Sequence, residues 1–119
     1  MNKFNNDMDI QNIYTSIEKP KMVSKRYGRS TMYYVPYDIF ENNGTYSYKY
    51  VPVIPDDYNY GGLVDAIIGV KYPLKECLAI INNYLFDSEN EEYKTEFLDM
   101  QEWRKFAKLE SRKHFNMEL

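Results

Sequence analysis

Few residues of this chain belong to the types that catalyse reactions or bind metals. It has one histidine, His114, and one cysteine, Cys77. A catalytic histidine needs a nucleophile or an orienting carboxylate beside it, and the sequence gives no sign of either. Cys77 lies among apolar residues at helical spacing, where a thiol behaves as a small hydrophobe. We interpret His114 as a favourable helix-end residue and Cys77 as part of a core.

The acidic residues and the glycines form no recognisable site either. Residues 87–92 invite a calcium interpretation, but Glu92 stands where an EF-hand loop needs glycine and Leu98 where it needs glutamate. Gly61 and Gly62 precede a predicted helix without the rest of a phosphate-binding loop. We therefore expect no catalytic, metal or cofactor site, and a protein that is not an enzyme.

Tyrosine supplies most of the high aromatic content. Nine of the thirteen tyrosines lie between Tyr27 and Tyr60. A tyrosine buries its ring and keeps a polar tip, so this excess favours half-buried strands and interfaces. We predict that a protein interface is formed by five of them: Tyr33, Tyr34, Tyr46, Tyr48 and Tyr50.

A basic cluster precedes these tyrosines, and we expect it to be an exposed loop, residues 19–29. Its cations could meet phosphates while tyrosines stack on bases. The candidate anion or nucleic-acid contacts are Lys21, Lys25, Arg26 and Arg29. Residues 56–119 carry eight Lys/Arg against thirteen Asp/Glu, which would repel a polyanion. We therefore do not expect nucleic acid to be the partner.

Strand periodicity covers the tyrosine-rich region. Residues 30–40 and 45–54 alternate in polarity, and Asn42, Asn43 and Gly44 between them suit a tight turn. Pro36 lacks an amide donor, so the first strand should lie at a sheet edge or carry a bulge. A hairpin alone is marginal in water, so one face needs the helices, another strand or another chain.

Helical periodicity begins after the predicted hairpin. A first helix has Asn59 as a possible N-cap, and a second follows Pro73. Ser88 with Glu91 matches a capping box, so a third should run from Glu89 to His114. The second helix has a predicted apolar stripe of Leu74, Cys77, Leu78, Ile81, Tyr84 and Leu85, and the third has inward residues Tyr93, Phe97, Met100, Trp103 and Ala107. The cations late in the third helix complement its dipole.

These elements predict an α+β fold in which a Tyr-rich N-terminal β-hairpin packs with a C-terminal three-helix unit. At 119 residues the chain is long enough for one structural domain. Residues 1–20 form an arm or a weak helix (residues 9–19), residues 21–55 the basic loop and hairpin, and residues 56–119 the helical unit. The single cysteine fits a reducing compartment. No signal peptide or membrane span is evident.

Part of the helical region resembles a module of known proteins. The matching stretches are residues 60–68 (YGGLVDAII), 71–73 (KYP), 80–85 (IINNYL) and 102–108 (EWRKFAK). Residues 58–113 thus resemble a small helical module in uncharacterised proteins of tailed bacteriophages and prophages of gut bacteria, some of them virion-associated. The resemblance implies synthesis in the host cytoplasm and a place in the virion, and it carries over no site residue.

The function that follows is a non-enzymatic phage structural or assembly protein. It would bind neighbouring virion subunits through the tyrosine face of the hairpin and the N-terminal arm, and a homo-oligomer fits the same surfaces. The alternative is a small regulatory or anti-defence protein that binds a host protein or nucleic acid through the basic loop. Neither hypothesis involves a cofactor or a membrane.

Overall fold

The computed structural model describes residues 13–117. Strands β1 (Tyr14–Ser16), β2 (Val23–Tyr27), β3 (Ser30–Asn42) and β4 (Thr45–Val53) precede helices α1 (Tyr60–Lys71), α2 (Leu74–Phe86) and α3 (Glu91–His114). The α+β prediction is confirmed, with strands in the N-terminal part and helices in the C-terminal part. The chain divides into two compact units, Met1–Ile54 and Pro55–Leu119, called here the sheet unit and the helical unit. Within residues 13–117, no helix is both long and apolar enough to cross a membrane.

The predicted hairpin is present as β3 and β4. Asn43 and Gly44 turn the chain with φ angles of 55° and 81°, the left-handed conformations that a tight hairpin turn requires. The strands pair antiparallel from Tyr33 opposite Val53 to Asn42 opposite Thr45. The turn chemistry was therefore readable from local sequence.

β3 lies inside the sheet, whose strand order is β1-β4-β3-β2, so of the two alternatives predicted for this strand the edge position does not hold. The alternative prediction, a bulge, is confirmed: the register with β4 shifts between Tyr37 and Phe40. Pro36 also lies beyond the last β2 pair, Val23 opposite Tyr34. At Pro36 only β4 pairs with β3, so the missing amide donor removes no hydrogen bond to β2.

Two strands were not predicted. The helix proposed for residues 9–19 is wrong over residues 13–19, since Tyr14–Ser16 is a strand paired with β4; residues 9–12 lie outside the described part of the chain. The basic segment is likewise only partly a loop, because Val23–Tyr27 forms the edge strand β2. In both cases pairing with a central strand outweighs weak local preference.

The helices begin at polar caps. The Asn59 side chain accepts a hydrogen bond from the Gly62 amide at 2.8 Å, which confirms the predicted N-cap of α1. The N-cap of α3 is Asn90 rather than Ser88, with its side chain accepting from the Glu92 and Tyr93 amides at 3.0 and 3.2 Å. An asparagine one position before the first helical residue satisfies those amides directly, so the predicted capping box is wrong.

The helical unit has an aliphatic and aromatic core. The Trp103 indole nitrogen donates to the Ile67 carbonyl of α1 at 2.9 Å, and Tyr84 of α2 stacks on Phe97 of α3 with ring centroids 4.3 Å apart. Met100, Trp103 and Ala107 are buried as predicted, while Tyr93 and Phe97 are half-buried. These contacts fix α1 and α2 against α3.

The predicted apolar stripe of α2 is only partly inside. Cys77 is buried, as is Ile80. The side chains of Leu74, Leu78 and Leu85 are exposed, so half of the predicted stripe is left uncovered. The apolar sector of α2 is wider than its contact with α3, and its remainder faces outward.

Candidate functional site

The tyrosines predicted as an interface form the core of the sheet unit. Tyr34, Tyr48 and Tyr50 are buried together with Met32, and Tyr14, Tyr27 and Tyr46 pack against them. Tyr14 and Tyr27 come from the two edge strands, so the sheet curls around the cluster. The Tyr48 and Tyr50 rings meet edge to face with centroids 5.4 Å apart, a favoured aromatic geometry.

Burial governs the chemistry of this cluster. Burial, and next the neighbouring Tyr48 hydroxyl, raise the pKa of Tyr50 to about 12, because a phenolate would be poorly solvated there. Tyr33 is also buried, and of the five tyrosines predicted for contact only Tyr46 is half-exposed. The interface assignment stays a prediction, and in this structure the rings stabilise the sheet.

The candidate anion contacts near the N-terminus do not share one surface. Lys25 pairs with Met32 and Arg26 with Thr31, so the two side chains extend from opposite faces of the sheet. Lys21 precedes β2, and Arg29 lies in the turn after it. All four side chains are exposed. The structure therefore spreads these cations along an edge strand and its flanking residues, on both faces of the sheet.

The two residues considered for catalysis lie on different helices, Cys77 on α2 and His114 at the end of α3. The Cys77 thiol is buried and donates to the Tyr72 carbonyl at 3.3 Å. His114 is exposed at the end of α3, with its ring edge-on to Phe115. Among residues 13–117, no group of three or more histidine, cysteine or acidic side chains is placed to hold a metal ion. Two surfaces of the described chain are notable for their exposed side chains.

One of these surfaces is the outer side of α2. Leu74 and Leu85 are each 74% exposed, Leu78 is 52% exposed and Phe86 is 88% exposed. Leu74, Leu78 and Leu85 share one side of the helix, and we call these three residues the α2 apolar face. Phe86 lies about 100° further round the helix. The sequence predicted all three leucines as part of an apolar stripe, but periodicity marks an apolar sector without showing how much of it a neighbour covers.

The second surface is a groove along the C-terminal half of α3, about 310 Å³ in volume. Its lining residues are Gln101, Arg104, Lys105, Lys108, Leu109 and Arg112. We call it the α3 basic groove. From the sequence we interpreted these cations only as partners of the helix dipole. Their three- and four-residue spacing also indicated that they share one face of α3.

Comparison with known proteins adds nothing to this geometry. No family model, curated protein or solved structure is detectably similar to the chain. The function is therefore argued from the two surfaces.

Proposed function

We propose that the protein is a non-enzymatic structural or assembly protein that binds a neighbouring protein subunit through the α2 apolar face. The exposure of Leu74 and Leu85, 74% each, carries the proposal. Folded proteins that expose contiguous large apolar side chains use them mostly for binding. The sequence resemblance to phage modules supports a virion subunit as the partner.

The spacing of the face favours a helical partner. Leu74, Leu78, Ile81 and Leu85 follow one another at intervals of four, three and four residues, the pattern by which one helix packs along another. Ile81 is half-buried and continues the exposed stripe into the core. A partner segment with a complementary apolar stripe would lie along α2, as in helix-in-groove recognition.

The test is incorporation into particles. Leu78→Glu with Leu85→Glu places two charges on the face, and both side chains are already more than half exposed, so the fold should tolerate them. We expect circular dichroism to be unchanged and the variant to be lost from purified particles, as measured by mass spectrometry.

Asn83→Glu is the matched control, because Asn83 is exposed on α2 away from the stripe. It should enter particles like the unaltered protein. Normal incorporation of the double variant would reject the α2 apolar face as the contact. Absence of the unaltered protein from particles would reject the virion role itself.

A further inference from the structure

The α3 basic groove concentrates four positive charges in a short length of helix. At 3.6 residues per turn, Arg104, Lys105, Lys108 and Arg112 fall within about 100° of the helix circumference. Arg104, Lys108 and Arg112 follow one another at about 6 Å along the axis, so the cluster spans about 12 Å. Four cations this close together form a strongly positive stretch of surface, which suits an extended anion.

The acidic residues of α3 lie on the other side of the helix. The same helical periodicity centres Glu92, Glu96, Asp99 and Glu102 nearly opposite the groove. The net negative charge of residues 56–119 therefore does not describe the groove. The carboxylates that would repel a polyanion lie on the far side of α3 from these cations.

The groove cations are not neutralised within the described chain. The nearby ion pair joins Lys113 to Glu110 at 3.3 Å, and neither residue lines the groove. Arg104, Lys105 and Lys108 form no ion pair with a residue in the 13–117 range. The Arg104 Nε is buried without a hydrogen-bond partner among these residues, which leaves a charged donor group unsatisfied.

The helix dipole accounts for only part of the cluster. Its effect is confined to the last turn, where the basic residues are Arg112, Lys113 and His114. Arg104 and Lys105 lie more than two turns before the end of α3. Their position on the groove needs a different explanation.

We propose that the α3 basic groove binds the phosphate backbone of a nucleic-acid duplex. A duplex carries about one phosphate charge per 1.7 Å of axis, so about seven lie along the 12 Å of the cluster, enough for each cation. Among residues 13–117 no aromatic side chain lines the groove, whereas single-strand sites stack bases on aromatic rings. Contact is therefore with the backbone, independent of base sequence. This site is separate from the α2 apolar face and adds an activity to the proposed function.

The experiment is a salt titration of binding by fluorescence anisotropy, with the full chain and short labelled DNA and RNA duplexes. Four phosphate contacts predict a slope of log Kobs against log salt of about −3.6, with dissociation constants of about 10⁻⁴–10⁻⁶ M. Lys105→Gln with Lys108→Gln should weaken binding and reduce the slope to about −1.8. Both lysines are exposed, so circular dichroism should confirm an unchanged fold.

Controls separate this site from other cations. Lys75→Gln, an exposed lysine on α2, should leave affinity and slope unchanged. If Arg26→Gln with Arg29→Gln abolishes binding while the groove variant does not, the site belongs to the β2–β3 turn and the proposal fails. It also fails if no duplex binds at low salt, if polyglutamate binds as tightly as the duplex, or if the groove variant only dissociates a homodimer.

Discussion

Position 62 requires glycine because a neighbouring backbone group leaves no room for a Cβ atom, and not because of its φ angle. A Cβ at this position would overlap the carbonyl oxygen of Asp57, because the chain before α1 folds over the first turn. The Gly62 amide also donates to the Asn59 cap. The sequence predicted no phosphate loop at this glycine pair, and the Asp57 contact gives Gly62 a packing role within the start of the helical unit.

The Gly62→Ala variant should lower the free energy of unfolding by about 1–3 kcal/mol, the usual range for inserting a methyl group into a filled site. Gly69→Ala is the control, since a Cβ there meets nothing within 4 Å. Removing a glycine from the interior of α1 should raise stability by about 0.5–1 kcal/mol. Urea denaturation measures both, and a Gly62→Ala variant as stable as Gly69→Ala would contradict the contact.

For the helices and strands, the type of each element was easier to predict than the residue at which it begins. All three helices and the β3–β4 hairpin follow from periodicity and from Asn59, Pro73, Asn43 and Gly44. The start of α3 did not, because Ser88 and Asn90 are both good caps and only the backbone path selects one. The Asn90 amide bonds to the Asp87 carbonyl at 3.2 Å, which makes residues 87–90 a turn ahead of the helix.

The choice of cap can be tested by paired substitutions. Asn90→Ala should cost about 1 kcal/mol of unfolding free energy, because two α3 amides lose their acceptor. Ser88→Ala should change stability by less than about 0.5 kcal/mol, as for most surface positions. Thermal and urea unfolding of the two variants give the comparison. A larger loss for Ser88→Ala would restore the capping box.

At the scale of the whole molecule, the two compact units have different core chemistry. Buried tyrosines on β3 and β4 dominate the sheet unit. The core of the helical unit is built around Met100, Ile80 and Cys77. The chain's single tryptophan, Trp103, lies on α3 and donates a hydrogen bond to α1. The two units should therefore respond differently to conditions that ionise tyrosine.

Alkaline pH should destabilise the sheet unit. Below pH 10 Tyr50 is protonated in both folded and unfolded chains, so it contributes no pH dependence. Between pH 10 and about 12 the unfolded chain loses this proton while the folded chain keeps it, so stability falls through that window. Urea denaturation at pH values between 10 and 12 measures this fall in stability. Tyr50→Phe should reduce the pH dependence, and an identical pH profile in the variant would contradict the assignment.

The sequence by itself determined the fold class, the hairpin turn and the number of helices. Those features depend on local periodicity and on residues with special backbone preferences, which act within a few positions. It also determined which side chains of α2 and α3 share a face, since helical geometry is fixed by spacing.

Tertiary structure alone decided which faces are covered. Burial placed Tyr34, Tyr48 and Tyr50 in a core and left Leu74 and Leu85 outside. It also made strands of Tyr14–Ser16 and Val23–Tyr27, whose hydrogen-bond partners lie on β4 and β3. Burial and strand pairing depend on residues distant in the chain, and composition or periodicity in one segment does not encode them.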